Sequence, residues 1–149
     1  LSYLDYYSRD SNDNTFPGED SELGLVTPKS IYNMFSSLYF STVIEPEDSE
    51  YILSLLTDTV FDINNIAELP DNVTIAQKFA LKYTTKEKYL HSCGIIYIDE
   101  RRLFYCVMTE GLDEKTAERV IGSIVNSIYI YTIDTRNKLD RLKEEYNFD

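Results

Sequence analysis

Apolar residues recur along this chain with two different periods. Ile31, Met34, Phe35, Leu38 and Tyr39 repeat at helical spacing through Phe40. Thr27-Pro28-Lys29 precedes them, with Thr27 suited to the N-cap and Pro28 to the first helical position. Glu45-Pro46-Glu47-Asp48 opens a second helix, its acids placed where the helix dipole favours them. Tyr51, Ile52, Leu55 and Leu56 line one face of it, with Val60 a turn further on. A connector over residues 63–71 ends in the turn signal Leu69-Pro70-Asp71-Asn72.

From residue 73 the pattern changes. Residues 73–82, 93–98 and 103–109 are rich in Ile, Val, Tyr and Phe and read as three antiparallel strands. The lysine-rich Thr84-Thr85-Lys86-Glu87-Lys88 forms the first loop, and Asp99-Glu100-Arg101-Arg102 the second turn. Both faces of the second hairpin are apolar, with Ile96, Ile98, Tyr105 and Val107 on one and Ile95, Tyr97, Phe104 and Met108 on the other. Helices are therefore expected on both faces of the sheet. A long helix over residues 113–146 carries the stripe Ala117, Val120, Ile121, Ile124, Val125 and Ile128. It would run about 50 Å, longer than a domain of this size, so residues 132–149 are expected to project or bend. Residues 1–26 mix tyrosines with Ser, Asn, Asp, Gly and Pro and read as loop. The fold class is α+β: a three-stranded antiparallel sheet with helices on its faces, in one domain.

Composition narrows the function classes. A chain of 149 residues buries about 70% of its unfolded surface as one domain. The net charge is −12. Residues 1–71 carry 14 acids against Arg9 and Lys29, whereas residues 72–149 balance 12 against 12. The acidic front half repels polyanions, so nucleic acid is not an expected partner. No apolar run reaches the roughly 18 residues of a membrane span. The chain begins at Leu1 without Met, as a trimmed or processed piece would.

Three motifs resemble one family in sequence order. Leu69-Pro70 followed by Gln77-Lys78 resembles the "L-P … K-T-G" approach to an active-site strand. His91-Ser92-Cys93-Gly94-Ile95-Ile96-Tyr97 resembles "H-D-x-G-I-V-Y", and Val107-Met108-Thr109 resembles the "V-M-T" of the next strand. Together with the Thr27-Pro28 helix and the terminal helix, they make residues 25–131 similar to the C-terminal half of serine β-lactamases and penicillin-binding-protein-like hydrolases of the class A type. The resemblance implies an extracytoplasmic, envelope-associated protein with a β-lactam or peptidoglycan-like ligand and no cofactor. It also implies a missing N-terminal half as an intramolecular partner, and it makes Lys78, Phe79 and Ala80 the candidate ligand-binding residues.

The departures from the family pattern bear on catalysis. No serine has a lysine three residues on, so the nucleophile motif S-x-x-K is absent. Thr85-Lys86-Glu87-Lys88 has that spacing with Thr, in a charged loop. S-D-N is absent, Ser11-Asn12-Asp13 having the letters in another order. K-T-G is replaced by Lys78-Phe79-Ala80, exchanging a hydroxyl for a phenyl ring and adding a methyl at the glycine. Acyl transfer needs a nucleophile, an activating base and an oxyanion hole, and this sequence offers only part of that set. No catalytic residue is assigned, and the expected role is a non-catalytic binding or assembly module. Two alternatives are a fragment of an active serine hydrolase and an unrelated α+β protein-interaction domain.

The remaining chemistry reads as structural. His91, the single histidine, is expected as a polar residue at a strand start. One His and two Cys make no zinc set, so no metal is expected. Cys93 and Cys106 would share a face but sit about one pair out of register, and they are read as free buried thiols, since a disulfide would need slight movement. The 13 tyrosines could form a sugar-stacking surface, but most fall at core positions. Asn72-Val73-Thr74 fits a glycosylation sequon.

Overall fold

The computed structural model describes residues 27–83 and 85–146. The loop expected over residues 1–26 lies outside them, as does the end of the chain beyond Tyr146. In order, the elements are α1 (Pro28–Tyr39), α2 (Pro46–Leu55), α3 (Ile63–Ile66), β1 (Thr74–Tyr83), β2 (Lys88–Ile98), β3 (Arg101–Glu110) and α4 (Glu114–Tyr146). The strands form an antiparallel sheet in the order β1-β2-β3. The fold is α+β, as the alternating and helical periods predict.

Local signals explain where the helices start. At α1 the Thr27 hydroxyl accepts from the Ser30 amide at 3.2 Å, and the Ser30 hydroxyl accepts from the Thr27 amide at 3.0 Å. This reciprocal cap satisfies two amides that helix geometry leaves free. Asp113 caps α4 in one direction, accepting from the Thr116 amide and hydroxyl at 3.0 and 2.6 Å. Those two bonds hold its carboxyl below the usual range.

The two faces of the sheet are covered by different helices. On one, Ile75, Leu90, Ile96, Ile98 and Tyr105 pack with Ala117, Ile121 and Val125 of α4. Ile96 and Ile121 are fully buried, each contributing about 1.5–3 kcal/mol. On the other, Tyr32 and Phe35 of α1 close on Phe104, at 5.2 and 5.8 Å between ring centroids. The connector after α2 contains the short helix α3, which nests on α4 at Gly122. A Cβ at Gly122 would come 2.5 Å from the Ile66 carbonyl oxygen. One turn on, Asn126 Nδ2 donates to the Ala67 carbonyl at 2.7 Å and caps α3.

Three expectations are corrected. Only part of the apolar face read on α2 packs: Ile52 and Leu56 are half-buried, whereas Tyr51 is 64% exposed, Leu55 54% and Val60 93%. The residue that α2 buries fully is Ser49, on the same side as Ile52 and Leu56. The second hairpin turns through only Asp99 and Glu100, with Ile98 opposite Arg101. Asp99 takes φ 50°, a left-handed conformation in which Asp is better tolerated than most residues. This shorter turn moves the register and sets Cys93 directly opposite Cys106. The two are joined in a disulfide, not held as free thiols.

Helix α4 runs unbroken for 33 residues. Its last ten residues, from Asn137 to Tyr146, are helical and exposed. Arg136 pairs with Asp99 at the hairpin turn.

Candidate functional site

Lys78, Phe79 and Ala80 lie in the middle of β1, an edge strand. The Gln77 amide donates to the Leu56 carbonyl at 2.8 Å and so points away from β2. Alternation then turns Lys78 and Ala80 towards β2 for pairing with Cys93 and His91. The peptide groups of Phe79 and Leu81 face outward. The chain over residues 56–61 covers the outer edge of β1 as far as Gln77, and among the described residues no strand pairs with that edge.

The three side chains divide between the two faces of the sheet. Lys78 is exposed on the α1 face, in one cross-strand row with Cys93 and Cys106. Its ammonium lies 5.8 Å from the Phe79 ring centroid. Phe79 points to the α4 face, half-buried, with its ring stacked on Phe61 at 5.4 Å. Ala80 is exposed beside Lys78. An anion at this edge would meet one cation and two outward peptide groups, with no hydroxyl from residue 79.

His91 belongs to a different constellation. Its Nδ1 accepts from the Thr109 amide at 3.2 Å, and its ring stacks on Tyr89 at 4.8 Å. Its neighbours cannot make it a nucleophile's base, because Ser92 points to the opposite face and Cys93 is in the disulfide. Among the described residues, no group of three or more His, Cys, Asp and Glu could hold a metal ion.

A polar cluster beneath the candidate edge was not foreseen from sequence. Gln77 is buried, with Nε2 donating to the Phe61 carbonyl at 2.5 Å and to Thr59 Oγ1 at 3.0 Å. Its Oε1 accepts from Ser92 Oγ at 2.8 Å and from the Tyr105 hydroxyl at 3.2 Å. The Ser92 and Tyr105 hydroxyl oxygens lie 2.8 Å apart, so either proton can turn from Gln77 to the other hydroxyl. Burial pushes the Tyr105 hydroxyl up to about 12. Gly94 lies between Gln77 and Tyr105 in the same row, and the missing side chain lets the two meet. A Cβ there would come 2.3 Å from the Ala76 carbonyl oxygen. The one signal in the sequence was a glutamine and a glycine inside strands that are otherwise apolar.

The family model described as the beta-lactamase enzyme family matches residues 7–132, most of the chain. The chain belongs to the beta-lactamase enzyme family. Its membership removes the reading as an unrelated α+β domain and agrees with the motif order noted above. A solved structure described as that of PBP-A matches with a TM-score of 0.60 at 12% identity, over 87% of this chain and 49% of that chain. This β-lactamase-family chain thus spans about half the length of that relative, and at such low identity the likeness is one of fold. No curated protein matches. Among the described residues no helix is long and apolar enough to cross a membrane.

Proposed function

We propose that this chain is the C-terminal, strand-bearing part of a β-lactamase-like, penicillin-binding-protein-like domain that binds or assembles at the cell envelope without turning substrate over. The observation that carries this reading is the state of the edge strand. Lys78 keeps a cation at an open edge, while Phe79, where the family has a hydroxyl, is locked by its stack on Phe61. The missing S-x-x-K and S-D-N motifs point the same way for the chain as given. An extracytoplasmic site is supported by the family and by the disulfide, since such bonds persist in oxidising compartments. In this reading Lys78 anchors the carboxylate of a β-lactam or a peptidoglycan-like peptide, and the outward groups of Phe79 and Leu81 bind its amides.

The test is twofold. Nitrocefin incubated with the chain should show no turnover above background, and a labelled penicillin should bind reversibly, more weakly in Lys78→Ala. Turnover that Lys78→Ala abolishes would overturn the proposal. The half-length match to the solved relative favours a second reading, in which the chain is a fragment of an active serine hydrolase. Covalent acylation of the longer parent polypeptide by the labelled penicillin would select it.

A further inference from the structure

Lys78, Cys93 and Cys106 form one row across the three strands, on the α1 face. The peptide groups of Lys78 and Cys93 face each other, so Cys93 meets Cys106 in the narrow, non-hydrogen-bonded kind of pair. Cys93 thus stands between a lysine on one flank and its disulfide partner on the other. Side chains directly opposite each other have Cβ atoms about 5 Å apart, a span that a lysine stem covers. In the oxidised chain the Lys78 ammonium lies 5.8 Å from the centroid of Phe79, a ring on the other face, which places it at the outer edge of β1. Among the described residues it pairs with no carboxylate.

The surroundings of Cys93 make a free thiol there a partner for that lysine. On the same face its neighbours are Ala76, Ala80, His91 and Ile95, with Phe104 and Met108 beside Cys106. The Nδ1 atom of His91 is taken up by the Thr109 amide. Helix α1, packed one row away through Phe35, brings Tyr32 and Tyr39 but no acid. Within one row, Lys78 is therefore the charged group that Cys93 meets among the described residues. Cys93 is buried, and burial alone holds a thiol neutral. A cation beside it favours the thiolate, so ionisation here depends on the lysine.

We propose, building on the reading of Lys78 as an anion anchor, that the Cys93–Cys106 bond is a redox switch on it. In the reduced chain the Cys93 thiolate pairs with the Lys78 ammonium and withholds it from ligands. Two sulfurs that are not bonded need more room than a bonded pair, and rotation about χ1 carries the Cys93 sulfur to the Lys78 side of the row. Oxidation ties that sulfur to Cys106 and releases the cation. The step is thiol–disulfide exchange with a disulfide-bearing oxidant. The two cysteines give up two protons and two electrons as their S–S bond forms, and the oxidant's S–S bond breaks to two thiols. The exchange belongs to folding, when the strands are not yet closed over the sulfurs. A chain made under reducing conditions thus keeps its anchor blocked until it reaches an oxidising compartment.

Two single substitutions separate a switch from a structural role. Cys106→Ala leaves Cys93 as a free thiol, and Cys93→Ala leaves the thiol on the far strand. Both lack the disulfide, and both should lose the same thermal stability. Binding of the labelled penicillin to the full chain should nevertheless weaken at least about tenfold in Cys106→Ala, and in wild type refolded with a phosphine reductant. In Cys93→Ala it should stay within about twofold of the oxidised wild type. Thiolate absorbance gives a readout that needs no ligand. Cys93 in Cys106→Ala should titrate below the ordinary thiol range, and adding Lys78→Ala should return it above that range. Circular dichroism verifies that each variant folds, and should Cys106→Ala not fold, the reduced wild type carries both measurements. Equal binding by reduced and oxidised wild type, equal weakening in the two single variants, or a Cys93 titration indifferent to Lys78→Ala would each overturn the proposal. Oxidised wild type that binds no better than Lys78→Ala overturns the anchor reading instead, and the titration then decides the Lys78–Cys93 pairing by itself.

Discussion

The Tyr105 hydroxyl reaches Gln77 Oε1 at 3.2 Å by passing over Gly94, so the three strands are linked by a polar contact inside an apolar layer. Gln77 is the hub of that contact. Its removal leaves the Phe61 carbonyl without its side-chain donor, and Ser92 and Tyr105 without their shared acceptor. Buried groups left unpaired cost about 1–3 kcal/mol each. Gln77→Ala is expected to lower stability by about 2–4 kcal/mol, read as a fall in the urea midpoint at unchanged slope. Tyr105→Phe leaves the Ser92–Gln77 bond intact and should cost about 1 kcal/mol.

The buried Tyr105 hydroxyl also sets a response to alkali. Its folded value of about 12 lies above the ordinary 10 of an unfolded tyrosine. A raised folded value contributes stability that is complete below pH 10 and is lost as pH rises from 10 to 12. The full contribution is about 2–3 kcal/mol. Wild type should therefore lose stability over that window more steeply than Tyr105→Phe. Tyrosinate absorbance should show one late-titrating group that the variant lacks.

Gly94 is constrained by its neighbour's backbone, which cannot move aside as a side-chain tip could. A methyl at 2.3 Å from the Ala76 oxygen must push β1 and β2 apart. Gly94→Ala should cost at least about 3 kcal/mol, towards the upper end for a single substitution. Thermal unfolding measures it. A drop in Tm of less than a few degrees would show that the strands yield more easily than their register suggests.

The Cys93–Cys106 disulfide closes a short loop across the hairpin. Loop-closure entropy for about 15 residues gives roughly 3 kcal/mol. The oxidised chain should show no titratable thiol, two after reduction in denaturant, and a lower Tm when reduced. The Cys93→Ala/Cys106→Ala double variant should unfold like the reduced protein.

Hydrophobic period made the elements legible in the sequence. The alternation from Val73 to Thr109 and the stripe from Ala117 to Ile128 each have one structural solution, and the capping residues Thr27 and Asp113 marked the helix starts. Register was less legible because it depends on a single turn. Reading four turn residues at Asp99–Arg102 displaced the cysteines by one pair, and Glu at the second turn position gives no sign of a two-residue loop. The exposure of Tyr51, Leu55 and Val60 was hidden because an amphipathic period does not say whether a partner surface is present. At the candidate site Lys78 stood out in the sequence as a cation in a strand. The Gln77 cluster did not, because its members are distant in sequence and meet only through pairing.

The crosslink at Cys93 and Cys106 lies in the same row as Lys78. A covalent rivet there, with the Gln77 cluster under it, aligns all three strands from within. The segment over residues 56–61, which Gln77 also holds, braces the first strand from its outer side. The lysine is thus seated between a seam and a brace, and a change that loosens one of them leaves the other to keep its place.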